Sequence, residues 1–190
     1  MENKSVISRE TISRIKHINR KQFTTEEQLH LDLFLCGYYL NGISLKDLVK
    51  LKNSDIIDAG RNHKLRHPIE DCNILEADAI AIMMHYRNDI PEEYLFPVLR
   101  NVMEYKHSVL IKKLDKKISR TLRKVETIIN CQRLSWDGLR LAYVNNLIDK
   151  FGYTSHVASF SKKEMLKVAQ ERYEQGLDRI SKAQMEEIFS

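Results

Sequence analysis

The stretch Leu33-Phe-Leu-Cys-Gly-Tyr-Tyr-Leu-Asn-Gly-Ile-Ser-Leu-Lys-Asp-Leu-Val-Lys-Leu-Lys-Asn-Ser-Asp-Ile56 decides the fold, because it holds two helix signals separated by a break. Its first part is the apolar end of a helix predicted over residues 28–40. Asn41-Gly42 breaks that helix, since both residue types favour turns. Ser44 can then cap a second helix over residues 45–50, because a serine hydroxyl accepts from a backbone amide of the first turn.

The residues before this stretch predict a helix start that follows a basic segment. Thr24-Thr25-Glu26-Glu27 offers a hydroxyl cap and early acids, both typical of a helix N-terminus. Residues 5–22 alternate basic and apolar side chains and predict either a short helix or a partly ordered lead-in. We therefore divide the chain into a basic lead-in segment, residues 1–23, and one domain, residues 24–190.

The residues after it predict a small hairpin and then further helices. Residues 54–70 read as two short strands around a polar turn near residues 60–63. A short extended piece is expected at residues 94–97, and helices at about 76–85, 107–128, 135–150, 161–174 and 178–189. The chain of 190 residues has only 6 Gly and 3 Pro, which suits a helical fold better than a sandwich or barrel. The predicted fold class is mainly α with a small antiparallel β hairpin or sheet.

Composition and cysteine usage exclude several classes of protein. No apolar run approaches the roughly 20 residues of a membrane span, and the N-terminus begins no apolar signal segment. Cys36, Cys72 and Cys131 are far apart and form no CxxC pair, which indicates reduced thiols in a cytoplasmic protein. The histidines show no metal-binding spacing such as HExxH, so neither a metal nor another cofactor is expected.

The positive charge of the chain is concentrated in one run. A net charge of +5 is by itself a weak sign of an acidic partner. Residues 112–124, however, carry seven basic side chains and one acid. A solvated helix face explains such a run, and so does a surface that follows phosphates, so both interpretations stay open. The second predicts DNA contacts by Lys112, Lys113, Lys116, Lys117, Arg120, Arg123 and Lys124.

Two residues near the C-terminus form the candidate site. Arg140 lies in Leu134-Ser-Trp-Asp-Gly-Leu-Arg-Leu-Ala-Tyr143, where a helical guanidinium can bind a phosphate with its planar fork. Tyr173 lies in Gln170-Glu-Arg-Tyr-Glu-Gln-Gly-Leu-Asp178, where a phenol can attack that phosphate and form a covalent ester. The structural alternatives are an ion-pair arginine beside Asp137 and a tyrosine packed on the domain. Trp136 is interpreted as a packing residue.

This succession of elements resembles the catalytic domain of the tyrosine recombinases, the phage integrase family, across roughly residues 24–190. Residues 33–56 are similar to the segment that presents the first catalytic arginine, most of all in the branch found on mobile conjugative elements. Arg61-Asn-His-Lys-Leu65 resembles the hairpin with the catalytic lysine, residues 134–143 the His-x-x-Arg helix, and residues 173–178 the nucleophile and its tail. The resemblance implies that Tyr173, Arg140 and Lys64 are catalytic residues.

Three positions depart from the family pattern. Ser44 stands where most members have the first arginine, Asp137 replaces the histidine of His-x-x-Arg, and Glu164 stands where histidine or tryptophan is usual. The family's reaction passes through a pentavalent phosphate whose added charge needs fixed donors, and ionised carboxylates beside it would repel it. Losing one such donor typically slows a reaction about 10²–10³-fold. These positions therefore imply a degenerate active site.

Two functions stay open on this reading. The first is a DNA-binding protein that resembles a recombinase of DNA integration but has weak or no strand-transfer activity. The second is an active divergent recombinase that forms a covalent 3′-phosphotyrosine link through Tyr173. About twenty residues precede the matching region, which leaves little room for an N-terminal clamp domain. The apolar side of the predicted tail helix, residues 178–189, implies contact with its own domain, a second copy of the chain or a recombinase partner.

Overall fold

The computed structural model describes residues 7–59, 62–66, 75–131 and 133–151, together with Arg172. Within them the chain is mainly helical with a two-stranded antiparallel sheet, which confirms the predicted fold class. Short 3₁₀ turns precede α2, β1 and α5. The elements are α1 (Arg9–Lys16), α2 (Thr25–Tyr39), α3 (Leu45–Leu48), β1 (Ile56–Ala59), β2 (Asn62–Leu65), α4 (Ala77–Tyr86), α5 (His107–Ile129) and α6 (Trp136–Phe151).

Helix α2 is the centre of the fold and packs against α1, α3, α4, α5 and α6. These contacts explain its sequence, since a helix that is apolar on most sides must be covered on most sides. Its start has the predicted cap. The Thr24 hydroxyl accepts from the Glu27 amide at 3.2 Å, and the Glu27 carboxylate accepts from the Thr24 amide at 2.8 Å. This reciprocal pair satisfies two amides at the helix start.

The predicted break after α2 is a left-handed turn. Asn41 and Gly42 have φ values of 61° and 72°, a conformation that asparagine and glycine adopt more readily than other residues. The Gly42 amide donates to the Gly37 carbonyl at 2.9 Å and closes the helix end. Ser44 then caps α3, as predicted, although α3 ends at Leu48, before residue 50.

The hairpin predicted within residues 54–70 is also present. Ile56 pairs with Leu65, and Ile57 pairs with Lys64, in antiparallel register. Ile56 and Leu65 are buried while Ile57 is 40% exposed, so one face of the hairpin packs inward. The piece at residues 94–97 is only partly extended. Tyr94 forms a bridge with Lys52, and the next residues make bends and a turn.

Trp136 anchors the start of α6 on α2. Its indole Nε1 donates to the Ile43 carbonyl at 2.9 Å, and its ring meets Phe34 edge-on with centroids 6.1 Å apart. The ring also covers Gly37, where an added Cβ would come within 2.8 Å of Cζ2. Trp136 is therefore a packing residue, as predicted, and it fixes α6 beside the turn at Gly42.

The first described residues belong to the hydrophobic core. Helix α1 packs against α2 and α5, and Arg14 donates to the Ile129 carbonyl at the end of α5. Of the two predicted states of this segment, the short helix is the one present. Residues before and after position 24 share one core, because the following side chains are all buried: Ile7, Ile12, Ile15, Ile18 and Phe23.

Helices α5 and α6 have nearly the predicted bounds, 107–128 and 135–150. The helix predicted at residues 161–174 lies outside the described residues except for Arg172, which is helical. The tail helix predicted at residues 178–189 lies wholly outside them. Assembly through that helix stays a prediction.

A buried histidine should make the stability of this core depend on pH. His30 of α2 contacts the Thr121 hydroxyl of α5 through Nδ1 at 2.8 Å. Burial lowers the pKa of His30, although the Glu26 carboxylate opposes the effect. Because the unfolded chain then binds the proton more readily, the free energy of unfolding is fully retained above about pH 6.5 and falls below it.

We expect urea unfolding at pH 7.5, 6.5 and 5.5 to show this decline, with a slope of at most about 1.4 kcal/mol per pH unit from this group. His30→Gln should flatten the decline between pH 6.5 and 5.5. The matched control His17→Gln removes an exposed histidine and should leave the decline unchanged. Equal pH dependence in the wild type and His30→Gln would show that His30 is not the responsible group.

Candidate functional site

The structure brings Arg140 against the turn that precedes Ser44. Arg140 is half-buried on α6. A Cβ added at Gly42 would lie 2.9 Å from the Arg140 Cα, so the two backbones are in close contact. Two segments that the sequence analysis joined only by resemblance, residues 33–56 and residues 134–143, thus meet in space. A guanidinium at such a junction can bind a phosphate that approaches both segments.

Ser44 has a structural role at this junction. Its hydroxyl accepts from the Asp47 amide at 3.1 Å and donates to the Asp47 carboxylate at 2.5 Å. Both bonds stabilise the start of α3, and an N-cap serine is typically worth about 1 kcal/mol. A neutral, engaged hydroxyl thus stands where the family resemblance places a cationic donor.

Asp137 is an exposed residue in the first turn of α6. The cap of that helix comes from Ser135, whose Oγ accepts from the Gly138 amide at 3.0 Å. A carboxylate in a first turn is favourable because it opposes the positive end of the helix dipole. The position that the resemblance assigns to histidine therefore suits an acid in this helix.

Lys64 is exposed on β2, and its hairpin contacts the residue that follows α4. The neighbouring His63 contacts the Asp58 carboxylate at 2.7 Å, and Arg87, which follows α4, reaches the same carboxylate at 3.4 Å. These contacts hold the two strands and the end of α4 together. The predicted grouping of Lys64 with Arg140 stays a prediction.

Tyr173 and Glu164 lie outside the described residues. Arg172, the residue before Tyr173, is buried and donates through Nη1 to the Asn145 side chain of α6 at 2.7 Å. The chain therefore meets α6, the helix of Arg140, at residue 172. The predicted grouping of Tyr173 with Arg140 stays a prediction.

The basic run of residues 112–124 forms an exposed face of α5. All seven of its cationic side chains are exposed, while Leu114, Ile118 and Leu122 point into the core. Lys117 pairs with Glu26 at 2.6 Å, and Lys124 pairs with Glu27 at 3.1 Å. The hydrogen bond from Lys117 lowers the pKa of the Glu26 carboxyl. Within the described residues no acid pairs with the remaining five: Lys112, Lys113, Lys116, Arg120 and Arg123.

A polar cavity of about 530 Å³ adjoins the Arg140 helix and was not predicted from the sequence. It lies between α1, the end of α2 and the start of α4, and Tyr143 lines it one helical turn after Arg140. Lys16 and Asp78 pair across it at 2.8 Å, which lowers the pKa of Asp78. Its lining carries both signs of charge, whereas the α5 face has seven cations and one acid.

Sequence reasoning also missed a groove between α3 and the start of α5. Lys46 of α3 and Lys50, which follows that helix, line it together with Lys112 of α5 and Tyr105. The only local signal was the order Glu-Tyr-Lys-His at residues 104–107, an aromatic residue between charged ones. The contribution of α3 could not be foreseen, because it depends on how α3 packs on α5.

The described residues show no candidate metal site or membrane-spanning helix, and the whole sequence has no match among known proteins. No three His, Cys, Asp or Glu side chains of the described ranges gather where they could hold a metal ion. No helix in the part of the chain that the structure describes is both long enough and apolar enough to span a membrane. In comparisons with known proteins, the chain matches no family model, no curated protein and no solved structure.

Proposed function

We propose that the protein binds DNA and resembles the catalytic domain of a site-specific tyrosine recombinase, with a degenerate active site and weak or no strand transfer. The observation that carries the proposal is the contact of Arg140 with the turn before Ser44. That contact joins the two segments which resemble the arginine-bearing segments of the family. The order of the described helices and the hairpin between α3 and α4 agree with the same resemblance.

The exposed face of α5 supports DNA as the partner. Five cations on one helix face without an acidic partner among the described residues give a surface that a phosphate backbone neutralises. Such contacts position a protein on DNA without reading its sequence. Binding through this face is therefore weak, tolerant of sequence and strongly dependent on salt.

The residues around Arg140 support weak catalysis. Ser44 supplies one neutral hydroxyl that is already engaged with Asp47, and Asp137 is an exposed acid. A pentavalent phosphate needs several preorganised donors, and each missing donor costs about 10²–10³ in rate. Arg140, alone or together with Lys64, supplies only a small part of the stabilisation that the pentavalent phosphate needs.

An active divergent recombinase is the second candidate, and one observation favours it. Arg172 is buried against Asn145, so the residue before Tyr173 is held on the Arg140 helix. A nucleophile held beside its phosphate-binding arginine is the arrangement that covalent catalysis requires. In that case the Tyr173 phenol loses its proton, its oxygen bonds to the phosphorus, the bond from the phosphorus to the 5′ oxygen breaks, and that oxygen takes up a proton.

A nicked duplex distinguishes the two candidates. We expect a native gel to show a complex with the wild type at low salt, and a denaturing gel of the same sample to show no covalent adduct. Tyr173→Phe should give the same native complex, because the phenol is not needed for phosphate binding. An adduct formed by the wild type and abolished by Tyr173→Phe would establish the active enzyme, and absence of the native complex would contradict DNA binding.

A further inference from the structure

Building on the proposed DNA-binding function, we infer that the groove between α3 and α5 binds an unpaired nucleotide of single-stranded DNA, with its base on Tyr105 and its phosphates on Lys46, Lys50 and Lys112. We call this site the lysine groove. Its volume is about 490 Å³, which lies within the roughly 300–1,000 Å³ typical of ligand sites.

The charge of the lysine groove favours an anion. Lys46, Lys50 and Lys112 line it with one acid, Glu104, and no ion pair within the described residues joins that acid to any of them. Helix α5 begins beside them without a side-chain cap and without an acid in its first turn. The positive end of a long helix and three lysines give the groove a positive potential that the single carboxylate of Glu104 does not balance. Phosphates supply the negative charge that balances it.

The apolar surface beside the lysines favours a base over a bare anion. Tyr105 is 72% exposed, and Met103 and Val109, which flank it in the sequence, are 65% and 53% exposed. Lys106 lies over the Tyr105 ring with its Nζ 5.4 Å from the centroid, which leaves a cation and an aromatic face together at the surface. Aromatic faces among cations are the means by which proteins stack bases while they neutralise the backbone.

A base inside a duplex cannot reach an isolated ring at a groove, because it is stacked on its neighbours. The site therefore suits a strand end, a gap or a nick rather than a continuous duplex. The α5 face, by contrast, contacts phosphates only and suits the duplex. The lysine groove and the α5 face share Lys112, so a strand that leaves the duplex could pass from one to the other.

Fluorescence anisotropy of the full chain with labelled (dT)12 tests the site. Tyr105→Ala should weaken binding about 5- to 150-fold, the range for the loss of one stacked base. Tyr105→Phe keeps an aromatic ring and should bind as tightly as the wild type. An abasic strand of equal length should bind the wild type and Tyr105→Ala equally. The triple variant Lys46→Ala, Lys50→Ala, Lys112→Ala should bind both strands more weakly than the wild type does. Circular dichroism checks that each variant is folded, and substitutions at these exposed positions should leave the spectrum unchanged.

The outcomes separate this inference from the proposed function. Duplex binding with no effect of Tyr105→Ala on (dT)12 would overturn the lysine groove and leave the function standing. Binding of (dT)12 that depends on Tyr105, without duplex binding, would support the groove and contradict the function of the α5 face. If a polyglutamate peptide binds the wild type and Tyr105→Ala equally well but does not bind the triple variant, the groove binds acidic peptides and the inference is wrong.

Discussion

Replacing Gly42 with alanine should destabilise the protein by about 2–4 kcal/mol, since two costs add. Gly42 has a φ of 72°, where a residue with a Cβ loses about 1–2 kcal/mol. The new Cβ would also lie 2.9 Å from the Arg140 Cα, which is backbone and cannot rotate away. Relief requires α6 to move off the turn, and that motion strains the bond from Trp136 to the Ile43 carbonyl.

Urea unfolding measures the effect through the midpoint at constant slope. The matched control is Asn41→Gly, which changes the neighbouring left-handed residue in the direction that relieves strain. It should leave the midpoint unchanged or raise it slightly. Equal midpoints for Gly42→Ala and the wild type would mean that the close contact between the turn and α6 is absent in solution.

Local signals in the sequence were enough to predict the elements that position the site. The Thr24 cap, the Asn41-Gly42 break and the Ser44 cap each depend on residues within one helical turn, so they are visible in the sequence. The hairpin is similarly local, because only two residues separate β1 from β2 in the sequence. These elements occur where the pattern placed them.

Contacts between distant segments could not be predicted in this way. The basic residues of the N-terminal segment suggested a lead-in, yet Ile12 and Ile15 are buried because α1 lies on α2 and α5. The acids that pair with Lys117 and Lys124 come from the start of α2. No periodicity in either segment indicates that pairing.

In the candidate site, too, some features were predictable from the sequence and others were not. The family resemblance predicted that the segments of Ser44 and Arg140 belong together, and they are in contact. It did not predict the engagement of Ser44 with Asp47, which follows from the start of α3. The positions of Tyr173 and Glu164 relative to Arg140 stay predictions, because both residues lie outside the described ranges.

Neutralising the α5 face should weaken duplex binding on the order of 10²–10³-fold at about 0.1 M salt. The variant carries Lys113→Gln, Lys116→Gln, Arg120→Gln and Arg123→Gln, four exposed positions without an acidic partner in the described part of the chain. Glutamine is a good helix former, so α5 should keep its structure. Each lost phosphate contact removes about one released counterion, and the salt slope should fall by roughly 3–4.

Two double variants show whether the loss of duplex binding comes from the position of the removed charges or from the change in net charge. Lys116→Gln with Arg120→Gln removes two charges from α5. Lys52→Gln with Arg66→Gln removes two charges near the hairpin. We expect the first pair to weaken binding at least tenfold more than the second. Equal losses would indicate that the overall charge, rather than the α5 face, attracts the DNA.

Fluorescence anisotropy of the wild type on a generic duplex, across salt concentrations from about 25 to 200 mM, tests the central claim most directly. Five to seven phosphate contacts predict that the logarithm of the association constant falls by roughly 4–6 for each tenfold increase in salt. The same titration with the four-site glutamine variant should give a much shallower slope. No binding of the wild type at the lowest salt, or the same slope in both proteins, would contradict DNA binding through the α5 face.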